Sequence, residues 1–249
     1  MKTLLSLLAI LSPGLSSFAQ ADYDQDVFPT SKGDLTITFI GHATLMFEWD
    51  GMKIYVDPVM READFTKFPK ADVIFLTHHH GDHTDAKALE ALLKDDTYII
   101  MTPIVAGNLS SMSFPGSAVL SNWETAEHRD INCEAIPAYN IEHKRPTGQA
   151  FHPKGEGNGY VLTFGDFKIL IGGDTENIPE YEKLAGYQPD VAFLPMNLPY
   201  TMTPEMVASA AKMIRPKILY PYHYGNTETE ELLKLMEDEP GIEVRIRRM

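Results

Sequence analysis

Residues 75–85 read FLTHHHGDHTD, and this stretch constrains the fold more than any other. Four of the nine histidines fall within residues 78–83, with Asp82 placed before the last of them. The apolar run DVIFLT, which precedes them at 72–77, has the pattern of a strand buried on both faces. Imidazoles and a carboxylate are costly to bury without partners. A group of them directly after a buried strand therefore predicts a metal site at the end of that strand.

Side-chain directions divide this cluster. Alternate residues near a strand end point the same way, so His78 and His80 are expected to share a target while His79 points elsewhere. Gly81 is expected to permit a tight change of direction, after which Asp82 and His83 follow. Two pairs of donors that leave one strand in two directions favour two neighbouring metal ions over one, and His79 is not expected to be a ligand.

Short β-rich runs alternate with helical segments along the rest of the chain. Asp50-Gly51 is a hairpin turn signal between two predicted strands. The run DVAFLP at 190–195 echoes DVIFLT, which indicates two similar halves, each a sheet covered by helices, within one α/β domain. Strands are predicted at 35–40, 44–49, 52–57, 72–77, 97–101, 131–136, 159–164, 167–171, 190–195 and 217–223.

Three helices have recognisable starts. Asp85 is expected to cap a helix over 85–94. Thr203 and Pro204 are predicted as the N-cap and first position of a helix that runs to about residue 214. Thr227 with Glu230 predicts a capping box for the last helix.

The first 21 residues have the form of a secretory signal peptide. Lys2 is followed by the apolar run LLSLLAIL, and AQA at 19–21 fits a small-residue cleavage site. Residues 12–14 interrupt the apolar run too early for a spanning helix, which needs ~20 apolar residues. We therefore predict a signal peptide at 1–21, one domain at 22–249 and a secreted or periplasmic protein. An uncleaved membrane anchor or a disordered tail is the alternative.

Composition narrows the partners. A formal net charge of −14 argues against nucleic-acid binding, which needs clustered basic residues. Cys133 is the only cysteine, so an intramolecular disulfide is excluded, and a buried core thiol is expected rather than a nucleophile. Nothing in the sequence fixes the oligomeric state.

The spacing His78-x-His80-x-Asp82-His83 resembles the signature of the metallo-β-lactamase superfamily. The resemblance extends over nearly all of the chain after the leader, through IGHAT at 40–44, Asp57-Pro58, IGGDT at 171–175 and a late strand that ends in a histidine. It implies an αββα sandwich with a dinuclear metal site at one edge.

A narrower resemblance comes from three further stretches, PAYN at 137–140, HPKG at 152–155 and MNLPYTM at 196–202. They resemble a branch of the superfamily that includes phosphorylated-lactone hydrolases and the phospholipase D that cleaves N-acylphosphatidylethanolamine. The branch implies a metal-dependent hydrolase of esters, lactones or phosphodiesters.

The resemblance also implies the ligands: His78 and His80 for one metal, Asp82, His83 and His223 for the other, and Asp174 between both. The third ligand of the first metal is expected to be His152. His143 is the main rival, and Asn140 occupies the position where some relatives carry the ligand histidine.

A site of histidines and carboxylates without thiolate favours two zinc ions, with manganese, iron or nickel as alternatives. Such a pair holds a hydroxide that attacks a carbonyl or phosphoryl centre. Asp82 is expected to orient the attacking water. His42 and Tyr200 are expected to contact the substrate oxyanion or its surroundings. The alternative for both is a packing role. Arg145 and Lys154 are expected to bind a substrate carboxylate or phosphate. The alternative is that both are exposed loop cations.

These features predict an exported metal-dependent hydrolase that acts on a small molecule or lipid. The alternatives are β-lactam hydrolysis, an iron-dependent redox enzyme of the same fold and a metal-binding module without activity. A nuclease is disfavoured by the acidic charge and by the absence of the large insertion that RNA-processing relatives carry.

Overall fold

The computed structural model describes residues 23–249. The predicted signal peptide at 1–21 lies outside the described residues. Its cleavage and the domain bounds 22–249 stay predictions.

The first sheet contains seven strands in chain order. Its first four strands are antiparallel and the following three pair in parallel. The strands are β1 (Asp24–Thr30), β2 (Gly33–Gly41), β3 (Thr44–Trp49), β4 (Met52–Val56), β5 (Val73–Phe75), β6 (Tyr98–Met101) and β7 (Gly116–Val119).

The second sheet repeats this arrangement. Four antiparallel strands are again followed by three that pair in parallel. The strands are β8 (Thr125–His128), β9 (Ile131–Ala138), β10 (Gly157–Phe164), β11 (Phe167–Ile171), β12 (Val191–Pro195), β13 (Ile218–Tyr222) and β14 (Glu243–Val244). DVIFLT and DVAFLP correspond to β5 and β12, the fifth strand of each sheet, which confirms the prediction of two similar halves.

Helices cover the outer faces of both sheets. They are α1 (Ala86–Leu92), α2 (Pro103–Asn108), α3 (Tyr181–Leu184), α4 (Pro204–Ile214) and α5 (Thr229–Leu235), with short 3-10 helices at Phe65–Lys67 and Ala185–Tyr187. Apolar side chains of α1 and α2 share a cluster with the first sheet, and those of α3, α4 and α5 share one with the second. None of the helices within 23–249 is long and apolar enough to cross a membrane.

The central layer is the apolar cluster between the two sheets. Phe193 of β12 is fully buried there and stacks on Tyr220 at a ring-centroid distance of 5.2 Å. Phe39 of β2 reaches both rings from the opposite sheet, at 6.0 and 5.0 Å. Cys133 belongs to the same cluster, and burial raises the pKa of its thiol, which agrees with a core role. The predicted αββα architecture is confirmed.

Local predictions were mostly accurate. Asp50 and Gly51 form the hairpin turn with φ angles of 48° and 75°, and Asp85 caps α1 by accepting a hydrogen bond from the backbone N–H of Lys87. Thr203 caps α4 as expected. The strands β1, β7, β8 and β14 and the helices α2 and α3 were missed. The strands β7 and β8 have only four residues each and alternate between exposed and half-buried positions, so neither has an apolar pattern.

The predicted capping box of the last helix is wrong. Helix α5 begins at Thr229, after Glu228, and no side chain caps it. The hydroxyl of Thr227 instead accepts a hydrogen bond from the backbone N–H of Leu198 at 3.3 Å. The side chain therefore stabilises a neighbouring loop and not the helix.

Candidate metal centre

Histidines and carboxylates from both sheets meet at one edge of the sandwich. His42 follows β2, the histidine cluster follows β5, Asp174 lies shortly after β11 and His223 comes directly after β13. The backbone N–H of His223 donates to the carbonyl of His42 at 2.8 Å, which joins the two sheets at this edge. The two halves of the chain therefore contribute to one site.

The donor atoms fall into overlapping groups in which every atom lies within 4.8 Å of the others. One group consists of nitrogens from His78, His80 and His152. A second consists of donors from His42, Asp82, His83 and His223, and a third of donors from His78, His83 and Asp174.

Asp174 lies between the first two groups. Its Oδ2 atom is 3.1 Å from Nε2 of His152, 3.8 Å from that of His78 and 3.7 Å from that of His223. Its Oδ1 atom is 3.4 Å from Nε2 of His83. The carboxylate is buried, and although burial alone would raise its pKa, the surrounding imidazoles hold that pKa well below the usual range.

A buried carboxylate orients His83 from behind. Nδ1 of His83 lies 2.8 Å from Oδ2 of Asp57, so Nε2 faces the centre. The Thr77 hydroxyl donates to the same carboxylate at 2.5 Å and lies 3.1 Å from Nδ1 of His78. A hydroxyl that donates to a carboxylate can accept from the Nδ1–H of His78, which leaves Nε2 of that ring as the free donor atom. Sequence reasoning missed this role of Asp57 and Thr77, although Asp57-Pro58 had been recognised as a motif.

An amide orients His152 in the same way. Oδ1 of Asn140 accepts from the backbone N–H of His152 at 2.8 Å and lies 2.6 Å from its Nδ1. The amide nitrogen of Asn140 donates to Glu176 at 3.0 Å and to the carbonyl of Tyr200 at 2.9 Å. Asn140 therefore contacts the ring of His152 from behind and does not itself belong to a donor group.

Burial lowers the pKa of two of the rings, which favours cation binding by them, and neighbouring carboxylates raise the pKa of a third. Burial, followed by the neighbouring histidines, lowers the pKa of His80 to about 4, so the ring is neutral and has a lone pair at pH 7. Burial also lowers the pKa of His78. For His83 burial acts in the same direction, but the negative charges of Asp174 and Asp57 raise the pKa well above its usual value.

Unpaired buried atoms show that the residues fit metal ions. Nε2 of His78 and Oδ1 of Asp174 are buried without a hydrogen-bond partner within 23–249. Nε2 of His83 and Nε2 of His223 lie 3.2 Å apart, and two imidazole lone pairs repel at that distance unless a proton or a cation lies between them. Nitrogen and oxygen donors in this number match divalent transition metals.

The centre opens into a cavity of about 420 Å³. Donor residues line it together with residues of two loops, at 145–151 and 197–200. Phe151 and Tyr200 contact each other edge to face at a ring-centroid distance of 5.0 Å, and the guanidinium of Arg145 lies 5.1 Å from the Phe151 ring centroid. The lining residues are His80, Gly81, Asp82, Arg145, Phe151, His152, Asp174, Asn197, Tyr200 and His223.

Lys154 does not lie where it was predicted to bind substrate, and His143 does not take the place of His152 among the donors. His143 faces Glu176, with its Nδ1 atom 2.8 Å from the carboxylate, and is in none of the donor groups. Lys154 pairs with Glu180 at 2.6 Å and does not line the cavity. His79 is likewise outside the donor groups within 23–249, as expected.

The expected turn after His80 is present, but it does not require glycine at position 81. This residue lacks the left-handed conformation, and a Cβ atom added there would meet open space. The turn depends instead on the carbonyl of His80, which accepts from the backbone N–H of His83 at 3.0 Å and of Thr84 at 2.9 Å.

Comparison with known proteins identifies the family. The sequence model described as the beta-lactamase superfamily domain matches residues 36–223. The chain belongs to this superfamily. The match runs from β2 to His223 and includes every donor group.

Relatives of the superfamily agree with hydrolysis. The chain is 30% identical over 219 residues to a UPF0173 metal-dependent hydrolase of Thermococcus onnurineus, covering 83% of this chain and 94% of the relative. A crystal structure from Parabacteroides distasonis ATCC 8503, named as a metal-dependent hydrolase, superposes with a TM-score of 0.84 at 47% identity, covering 91% of this chain and 99% of that one. Igni18, a metallo hydrolase from Ignicoccus hospitalis, shares the fold with a TM-score of 0.72 at 24% identity, covering 86% and 95%. The chain is a metal-dependent hydrolase of the metallo-β-lactamase superfamily.

Proposed function

We propose that this protein is an exported hydrolase with two divalent metal ions, zinc favoured, that cleaves an ester, lactone or phosphodiester in a small molecule or lipid. The observation that carries the proposal is the pair of donor groups on either side of Asp174. Export rests on the leader at 1–21. The choice among ester, lactone and phosphodiester rests on the sequence resemblance to the two hydrolase types named above.

The proposed ligands follow from the donor groups. His78, His80 and His152 would hold one ion and Asp82, His83 and His223 the other, with Asp174 shared. His152 is preferred over His143 because only His152 has a ring nitrogen among these donors.

Bound metal ions would supply a nucleophile by lowering the pKa of water toward ~7 and would polarise the substrate oxygen. The protein's own groups have separate tasks. Oδ2 of Asp82 lies 3.2 Å from Nε2 of His42, and this contact would orient the Asp82 carboxylate as a proton acceptor in the cavity. Tyr200 would donate its hydroxyl to the substrate oxyanion, and Arg145 would bind an anionic part of the substrate. Lys154 has no part in this arrangement because it is paired with Glu180.

Metal analysis and a substrate panel test the proposal together. Purified protein is expected to contain about two metal ions per chain and to hydrolyse members of a panel of lactones, phosphodiesters, thioesters and a chromogenic β-lactam. His80→Ala and Asp174→Ala are expected to lose hydrolysis and metal. The matched control is His128→Ala, because His128 stacks on Tyr98 outside the centre.

The outcomes separate the alternatives. Full hydrolytic activity in protein stripped of metal would refute the proposal. Bound iron with oxygen consumption would support a redox enzyme instead, and turnover of the β-lactam alone would support a β-lactamase. Protein that retains its metal but is inactive on the whole panel would support a binding module.

A further inference from the structure

Arg145 differs from most other arginines of the chain in having no carboxylate partner. Five of the seven arginines form an ion pair with an aspartate or glutamate, and within residues 23–249 only Arg145 and Arg215 do not. The chain has 35 acidic and 21 basic residues, so carboxylates outnumber cationic side chains. An arginine without a carboxylate partner is therefore unexpected. Of the two exceptions, Arg145 alone lines the cavity of the metal centre.

The loop that carries Arg145 is held in place by hydrogen bonds. The backbone N–H groups of Ile141, Glu142 and His143 each donate to the buried carboxylate of Glu176 at 2.7 Å. A carboxylate that accepts three backbone N–H bonds fixes the start of the loop.

The tip of the loop is a tight turn. The backbone N–H of Arg145 donates to the carbonyl of Gln149 at 2.8 Å, and that of Gly148 donates to the carbonyl of Arg145 at 2.8 Å. Gly148 has φ 87°, a conformation that favours glycine. Phe151, below the guanidinium, limits the side chain further. The backbone at Arg145 is therefore held at the cavity, and the exposed guanidinium lies over the Phe151 ring.

Exposed apolar side chains belong to the two loops that contribute to this cavity, and one of them, Tyr200, lines it directly. Ile141, Leu198 and Tyr200 are three of the six large apolar residues that are exposed within 23–249, with exposed fractions of 43%, 42% and 45%. The amide of Asn140 donates to the carbonyl of Tyr200 and joins the segments that carry them. Exposed apolar groups beside a cavity are typical of a ligand-binding surface.

We propose that Arg145 forms an anion subsite in this cavity, and that the substrate is a small organic anion with an apolar arm. The carboxylate or phosphate of the substrate pairs with the guanidinium, the apolar arm contacts Phe151 and Tyr200, and the scissile group lies at the histidines and Asp174. A guanidinium binds both anions through a pair of parallel hydrogen bonds. This inference rests on the proposed function for the position of the scissile group.

Two chromogenic esters of similar length test the subsite on the metal-loaded protein. We expect kcat/KM to be higher for 4-nitrophenyl hemisuccinate, which carries a carboxylate, than for 4-nitrophenyl butyrate, which does not. The ratio of the two kcat/KM values measures the contribution of the anion. Arg145→Gln is expected to lower this ratio about 10- to 100-fold, mainly through KM, as expected for the loss of a charged hydrogen bond. Arg145→Lys should restore part of it, because the charge returns without the planar fork. Arg215→Gln is the matched control and should keep the wild-type ratio.

A binding measurement keeps the inference independent of turnover. Calorimetry with butylphosphonate, butyrate and butyramide compares the affinity for two anions with that for a neutral analogue. If Arg145→Gln loses more affinity for one anion than for the other, that anion is the one the subsite takes. If neither ester nor any member of the substrate panel is hydrolysed but Arg145→Gln weakens the binding of the anions at least tenfold, the subsite stands and the proposed function fails. If both anions bind Arg145→Gln as tightly as wild type, they bind only at the metal ligands and the inference is overturned.

Discussion

Oδ1 of Asn140 lies 2.6 Å from Nδ1 of His152, and Nε2 of the same ring lies 3.1 Å from Asp174. An amide oxygen only accepts hydrogen bonds, so the Nδ1–H of His152 is directed to Asn140 and Nε2 keeps its lone pair for the metal centre. The amide thus selects the tautomer of the ring as well as its orientation.

We expect Asn140→Ala to weaken metal binding about 10- to 100-fold, because ligand rings that lose their hydrogen-bonded support lose affinity for metal. Competition with a chromogenic chelator measures this directly. Asn132→Ala, at an exposed position of β9, is the matched control and should bind metal as wild type does. Wild-type affinity in Asn140→Ala would show that the ring needs no support.

His152 and His143 can be distinguished by the metal content of two variants. His152→Ala removes a nitrogen that lies in a donor group, so we expect the purified variant to contain less metal than wild type. His143→Ala should retain the wild-type content, since His143 faces Glu176 instead. The reverse result would exchange their roles.

Asp26 of β1 joins this strand to β13 of the second sheet and to the C-terminal tail. Its carboxylate accepts two hydrogen bonds from Nη2 of Arg247, at 2.7 and 2.8 Å, and a further one from the hydroxyl of Tyr220. Burial alone would raise the pKa of Asp26, but these donors lower it below the usual 3.8. We expect Asp26→Asn to reduce the free energy of unfolding by about 1 kcal/mol at pH 7. The effect is modest because solvent partly screens these ion pairs.

The difference in free energy of unfolding between wild type and Asp26→Asn is expected to depend on pH in a definite direction. A carboxyl whose pKa is lowered by folding stabilises the protein above its unfolded pKa and loses this contribution as the pH falls through the folded pKa. Urea unfolding of wild type and Asp26→Asn should therefore show a constant difference near neutral pH that shrinks below pH 3.8. A difference that grows on acidification would contradict the assignment.

Gly159 of β10 allows two neighbouring strands to approach. A Cβ atom at this position would lie 2.5 Å from the carbonyl oxygen of Ile171 and 2.6 Å from that of Gly172, just before Asp174. We expect Gly159→Ala to destabilise the protein by about 1–3 kcal/mol, as overpacking does, and to reduce metal affinity through a displacement of β11. Thermal unfolding and the chelator assay measure the two effects. Gly107→Ala, where a Cβ would meet open space, should not lower either quantity.

The sequence alone determined most of the strands, three of the helices and the group of donors after β5. The apolar patterns of the strands, the turn at Asp50-Gly51 and the helix caps depend on residues that are close in sequence. They could therefore be predicted from the sequence. The alternation of His78 and His80 followed from the strand that precedes them, and the echo between 72–77 and 190–195 indicated the repeated sheet. The capping box at Thr227 was wrong because its hydroxyl bonds a loop that is distant in sequence.

Only the tertiary structure decided which groups support the metal centre and which face the cavity. Asn140, Asp57 and Glu176 act through partners 12 to 36 residues away, and local sequence patterns do not encode such contacts. Lys154 and Arg145 look alike in sequence as loop cations, yet one finds Glu180 and the other finds no carboxylate partner within 23–249. The physical reason is that pairing depends on distance in space, which the packing of two sheets sets and the order of residues does not.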